Sequence, residues 1–403
     1  MSDEKRPRIP RGLRADGAAL WSYGFRPFFL GGALWAVAAM ALWIAALIHG
    51  LPLGGDYGPA LWHAHEMVFG FAPAVLAGFL LTAIPNWTGS LPVSGPALIG
   101  LFSVWAAGRA AMASAALTGP WAAAAIDAAF LPLLLAIAAR EIVAGRKWND
   151  LKVLAGVTAV MAGNLGFHGA VLLGGDPGLW LRAAVAGYVV LVLIIGGRII
   201  PSFTRNWLNR QGAAAMPVPY NRFDMGVIAL SALALAAWTL APESRAAALA
   251  CAAAALLNAA RLARWRGWAI RSEPLLWVLH LSYGFVPLGF LAVAASVAGV
   301  VQPVSALHVL TVGVIGAMML AVMTRATRGH IGRALAASRL TTLSYLFLFA
   351  AALARPLADL AGSPRLMEAA GILWMGAFGL FVAEHGAMLI LRRRQPAGAQ
   401  AGA

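Results

Sequence analysis

The chain has 403 residues, of which 61% are apolar and 11% charged, and its mean hydropathy is +0.78. A soluble chain carries about a quarter charged residues, so this composition excludes a soluble globular protein and points to an all-α polytopic membrane protein. The net charge of +15 would suit nucleic acid, but its placement, described below, makes it a topology signal and excludes that partner in favour of the lipid bilayer.

A bilayer core takes about 20 apolar residues per helix. Twelve such stretches are predicted: 28–49, 62–84, 93–114, 119–140, 151–174, 178–200, 223–241, 244–262, 274–299, 303–326, 340–361 and 366–391. Before the first comes a charged leader, Met1 to Asp16, without the apolar run of a signal peptide. The first helix follows Ser22-Tyr23-Gly24-Phe25-Arg26-Pro27 and ends at His49. The second opens on His63 and His65 and closes in Ile84-Pro85-Asn86-Trp87-Thr88. Arg109 lies in the third and Asp127 in the fourth. The fifth contains Asn164-Leu165-Gly166-Phe167-His168, a weaker echo of the first motif, and the sixth closes in Ile200-Pro201-Ser202-Phe203-Thr204. The loop after it, about 201–222, is the longest and carries no motif. The eighth holds the single cysteine, Cys251. The ninth contains His280 and Ser282-Tyr283-Gly284-Phe285-Val286-Pro287, the tenth opens at His308 and ends in Thr324-Arg325-Ala326-Thr327 before His330, and the twelfth holds His385.

The motifs divide the chain into three pseudo-repeats of four helices, about 20–145, 146–270 and 271–394, within one integral membrane domain over 1–403. The tail 395–403 is Gly/Ala-rich and expected to be loose. Basic residues concentrate in the loops that follow even-numbered helices, with Arg146, Lys147, Arg205, Arg264, Arg328 and Arg339 among them, and in both termini. That is the positive-inside pattern, so both termini are expected to be cytoplasmic. One cysteine excludes an intrachain disulfide, covalent haem attachment through CxxCH, a thiolate zinc site and an iron–sulfur cluster. No phosphate-binding loop, dinucleotide fingerprint, nucleophile elbow or HExxH is present, so any chemistry is built from side chains inside the bundle.

Ionisable groups inside spans are costly and mark function. His65 and His308 occupy equivalent depths near the outer face in the second and tenth helices, and two facing imidazoles are what a six-coordinate, non-covalent b-type haem needs. The bland alternative is a hydrogen-bonded cap at each helix start. His63 is the second candidate, with Glu66 three residues on as a partner for its other ring nitrogen. Two positions apart on a helix is about 200°, so His63 and His65 do not share a face. His168 would add a third imidazole near the outer cluster, a donor set suited to copper, iron or zinc, or simply bond to Asn164. His280 and His330 are candidates for an inner metal or proton-handling group, with His385 a weaker member. Arg109 needs an anion, and a haem propionate at the outer end of the pocket would serve, with Arg182 as the other candidate; the alternative for Arg109 is snorkelling to the headgroups. Asp127 has no evident partner, which makes coupled transport hard to build.

Several long motifs in order resemble the NnrS family over nearly the whole chain. They are Gly24-Phe25-Arg26-Pro27-Phe28-Phe29, Trp62-His63-Ala64-His65-Glu66-Met67, Ala77 to Gly89, Gly197 to Pro201, Glu273-Pro274-Leu275-Leu276-Trp277 with His280, His308, and Thr324 to Arg333. The resemblance implies a haem- and copper-containing membrane protein of nitric oxide metabolism and resistance to nitrosative stress, with nitric oxide as its small-molecule ligand. A weaker architectural likeness is to haem–copper oxidases, although the predicted sixth helix has no histidine and the seventh no His-His pair. The rival functions are a membrane transporter and a metal-delivery or assembly factor. The sequence assigns no enzymatic turnover and no electron donor.

Overall fold

The computed structural model describes residues 18–392. The predicted leader over 1–16 and tail over 395–403 lie outside the described residues. Twelve helices among the described residues are long and apolar enough to cross a membrane, and no strand occurs among them. They are α1 Phe25–His49, α2 Gly55–Thr88, α3 Pro96–Ala113, α4 Pro120–Ala144, α5 Trp148–Leu172, α6 Gly178–Arg210, α7 Arg222–Leu240, α8 Arg245–Ala263, α9 Pro274–Val297, α10 Pro303–His330, α11 Arg339–Leu360 and α12 Pro364–Ile390.

Local chemistry sets the ends. Proline opens α3, α4, α9, α10 and α12, where a missing N–H costs nothing. Ser244, Ser338 and Ser363 accept from backbone N–H groups at the starts of α8, α11 and α12. Gly50 ends α1 in the left-handed conformation at φ 65°. Arg26, from the first sequence motif, is buried and donates to the carbonyls of Leu389 at 2.8 Å and Met388 at 3.2 Å. It thereby satisfies carbonyls that have no partner at the end of α12, and α1 packs along α12.

Helices α2, α6 and α10 run past their expected ends, as does α4, which continues from 140 to Ala144. Helix α2 starts seven residues before 62 and finishes at Thr88, α6 continues to Arg210 and α10 to His330. Pro85 and Pro201 therefore sit inside helices, and the loop expected over 201–222 is helical up to 210. Each proline forfeits one backbone bond. In the same turns side chains add bonds to other carbonyls, with Asn86 donating to Thr82, Thr88 to Ile84 and Thr204 to Ile200.

Helices α2, α6 and α10 carry π-helical stretches, Glu66–Phe71 in α2, Val192–Gly196 in α6 and Val309–Gly316 in α10. They also touch one another pairwise and enclose an apolar pocket lined by Val75, Phe79, Tyr188, Ile195, Ile315 and Val322, among others. Helix α2 is the most deeply enclosed of the twelve. Its two faces therefore look into different parts of the interior, and both carry histidine.

Candidate metal centre

One face of α2 points His65 toward α4 and α5. His65 is fully buried, and its Nδ1 lies 2.9 Å from Glu66 Oε1. A carboxylate accepts, so Nδ1 carries the proton and donates. His65 Nε2 then lies 3.1 Å from Asn164 Oδ1, 3.2 Å from Asp127 Oδ2 and 3.3 Å from His168 Nε2. His168 Nε2 is itself 2.9 Å from Asp127 Oδ2, and its Nδ1 is 2.7 Å from the Tyr57 hydroxyl. Asn164 Nδ2 donates to the same Asp127 oxygen at 2.9 Å. Two imidazoles, an amide and a carboxylate thus converge on one point.

The charge count agrees. Arg109, 4% exposed, donates to both Glu66 and Asp127, and Trp35 Nε1 donates to Glu66 at 2.7 Å. One guanidinium faces two carboxylates, so with neutral imidazoles the cluster holds one negative charge in a low-dielectric interior. A cation among the converging atoms relieves that excess charge.

A metal ion fits the donor set. With bonds of about 2.0–2.1 Å, neighbouring donors on a coordination polyhedron lie about 2.9–3.4 Å apart. The triangle of His65 Nε2, His168 Nε2 and Asp127 Oδ2 has edges of 3.3, 2.9 and 3.2 Å. This is the one group of three or more histidine, cysteine or acidic residues with clustered ligand atoms among the described residues. Glu66 and Tyr57 hold the outer nitrogens, the arrangement that orients a ligating imidazole.

The opposite face of α2 points His63 into a cavity of about 510 Å³ between α1, α2, α10, α11 and α12. His308, from α10, lines the same cavity, as do Met40, Met67, Met367 and Arg355. His63 stacks on Trp43 at 4.7 Å, and its buried Nδ1 has no hydrogen-bond partner. His308 Nδ1 donates to the Val304 carbonyl at 2.7 Å, which leaves its lone pair on Nε2. Arg355 is held by Asp359 at 2.6 Å.

Several expectations are corrected by these positions. His65 does not pair with His308: both of its nitrogens are engaged in the α4–α5 cluster, and His63 faces His308's cavity instead. The roughly 200° between the two α2 histidines decides this. Arg109 neither snorkels nor lines that cavity, because Glu66 and Asp127 neutralise it within the bundle. Glu66 serves His65 and Arg109 rather than His63. Asp127 has four partners rather than none. Arg182 turns to the Thr239 carbonyl at 3.3 Å.

The inner histidines stay apart. His280 bonds to the Leu276 carbonyl at 3.1 Å and reaches Thr204 at 3.4 Å. His330 lies against Tyr23 and Phe25, and His385 stacks on Phe381. Sequence reasoning missed Tyr57, Trp35 and Arg355. The available signal was Arg109 itself, since a guanidinium among apolar residues requires carboxylates and the nearby spans contain few.

No curated protein matches the chain. A family model described as NnrS protein matches residues 19–393, nearly every described residue and both histidine sites, and the chain therefore belongs to the NnrS family.

Proposed function

We propose that this is a haem- and copper-binding protein of the bacterial inner membrane, with both termini cytoplasmic, acting in nitric oxide metabolism or resistance to nitrosative stress. The observation that carries the reading is that His63 and His308, from the first and last thirds of the chain, line one cavity. Its volume, about 510 Å³, lies in the usual range for small-molecule sites. A porphyrin is an apolar disc with acidic edges, and the cavity offers apolar walls, two imidazoles and the Arg355 guanidinium, which Asp359 orients, with Glu368 as the cavity's one lining carboxylate. His63 and His308 would hold the haem, and Arg355 would meet a propionate. His65, His168 and Asp127 would hold copper on the other side of α2.

Haem supplies reversible one-electron exchange and affinity for nitric oxide when bound. The chain's own residues define the rest. With His63 and His308 both holding the group, the site would favour electron transfer or redox protection over direct capture of a gas. Val304 fixes the tautomer of His308, and Trp43 holds the ring plane of His63. The apolar pocket between α2, α6 and α10 shares Tyr188 and Ile315 with the cavity, which supports access for a small neutral gas rather than an ion. The recurrence of π stretches in every fourth helix supports three related groups of four.

Optical spectra and metal analysis of the detergent-purified protein test this. His63→Ala and His308→Ala are expected to lose the Soret band, and His65→Ala to keep it. His168→Ala is expected to lose the copper and keep the haem. A Soret band that survives His308→Ala rejects the haem assignment.

A further inference from the structure

A second large recess, about 1030 Å³, opens at the end of the bundle where α4 and α6 finish and α5 and α7 begin. Five cationic residues line it: Arg146, Lys147, Lys152, Arg198 and Arg205. Its only lining carboxylate is Asp150, which is engaged by Arg198 at 3.2 Å. Arg198 also lies over the Trp87 ring, and Arg205 donates to the Pro217 carbonyl at 3.2 Å, so two of the cations are already held in place. Among the described residues no carboxylate pairs with Arg146, Lys147 or Lys152.

The recess is also amphipathic. Ile194, Ile195, Ile199 and Ile228 form an apolar wall, while Trp148 and Tyr220 stand at the rim like interfacial aromatics.

We propose that this recess binds an anionic phospholipid of the adjoining leaflet. Arg146, Lys147 and Lys152 take the headgroup phosphate, and the acyl chains lie against the isoleucine wall between α6 and α7. Basic recesses between membrane helices recognise such headgroups by charge. Free phosphate shares the headgroup's charge but has no use for the apolar wall, and this separates the two sources.

The test is thermal unfolding of the detergent-purified full-length protein titrated with phosphatidylglycerol, phosphatidylcholine or inorganic phosphate. Phosphatidylglycerol alone is expected to raise the midpoint by several degrees. Arg146→Ser/Lys147→Ser/Lys152→Ser is expected to abolish that shift while keeping the lipid-free midpoint, since all three side chains are exposed. Arg222→Ser/Arg271→Ser/Arg339→Ser, which removes equal charge outside the recess, is expected to retain it. A shift that persists in the recess variant, or equals that with phosphatidylcholine, overturns the proposal. An equal shift with inorganic phosphate overturns its lipid part. Native mass spectrometry of the single Lys152→Ser protein supplies a second readout: retained phosphatidylglycerol is expected to fall relative to wild type, and unchanged retention counts against the site.

Discussion

Arg109 is the guanidinium that balances the acidic side chains of the His65–His168–Asp127 cluster. It is buried on α3 and bonded to carboxylates from α2 and α4. Removing one partner of a buried ion pair leaves charge without compensation, typically at about 3–5 kcal/mol. Arg109→Met keeps the length and apolar stem but leaves Glu66 and Asp127 facing each other's charge. It is expected to lower stability by about that amount in chemical or thermal denaturation of the purified protein. Retention of wild-type stability would mean that one carboxylate is protonated. The sequence made Arg109 conspicuous, because a guanidinium in an apolar span demands an anion. It did not reveal which anion, since helical periodicity says how residues share a face and nothing about which helix lies opposite. The same gap explains His63 and His65. Their angular separation showed that they serve different faces, but assigning the faces required the neighbours α4, α5 and α10.

At the scale of the helix, a π stretch widens the turn and frees carbonyls that an α-helix would occupy. Here neighbouring helices supply the missing donors. Tyr188 donates to Val68 at 3.0 Å, Trp105 to Gly70 at 2.9 Å and Arg261 to Leu193 at 3.0 Å. The Arg261 contact depends on a cap. Asp224 closes a capping box with Asn221 at the start of α7 and also accepts from Arg261 at 2.9 Å. Arg261 is fully buried and bonds to Tyr283 as well. One carboxylate thus couples the start of α7 to the π stretch of α6. Asn221→Ala removes only a cap and is expected to cost about 1 kcal/mol. Asp224→Ala also strands a buried guanidinium and is expected to cost about 3–5 kcal/mol. Comparable midpoints for the two variants in thermal unfolding would show that Arg261 finds another counter-charge.

Across the whole molecule, the twelve spans were legible because length and apolarity are one-dimensional properties. The largest shifts of a helix end belong to α2 and α6, where Pro85 and Pro201, just past the expected ends of 84 and 200, lie inside the helices. What no one-dimensional reading supplies is that α2, α6 and α10 meet around an apolar pocket, or that this pocket shares residues with the His63–His308 cavity on one side and with the basic recess on the other. Such an interior admits a neutral diatomic molecule at little cost and excludes ions, because charge in an apolar environment is expensive. If nitric oxide reaches the cavity along this path, narrowing the pocket slows arrival without altering the cavity itself. Val322 lines the pocket and not the cavity, so Val322→Phe tests this at a distance from the histidines. Overpacking is expected to cost about 1–3 kcal/mol of stability. The Soret band of the variant is expected to match wild type, while the rate of nitric oxide reaction in stopped-flow mixing falls several-fold. An unchanged rate with an unchanged spectrum would reject this route.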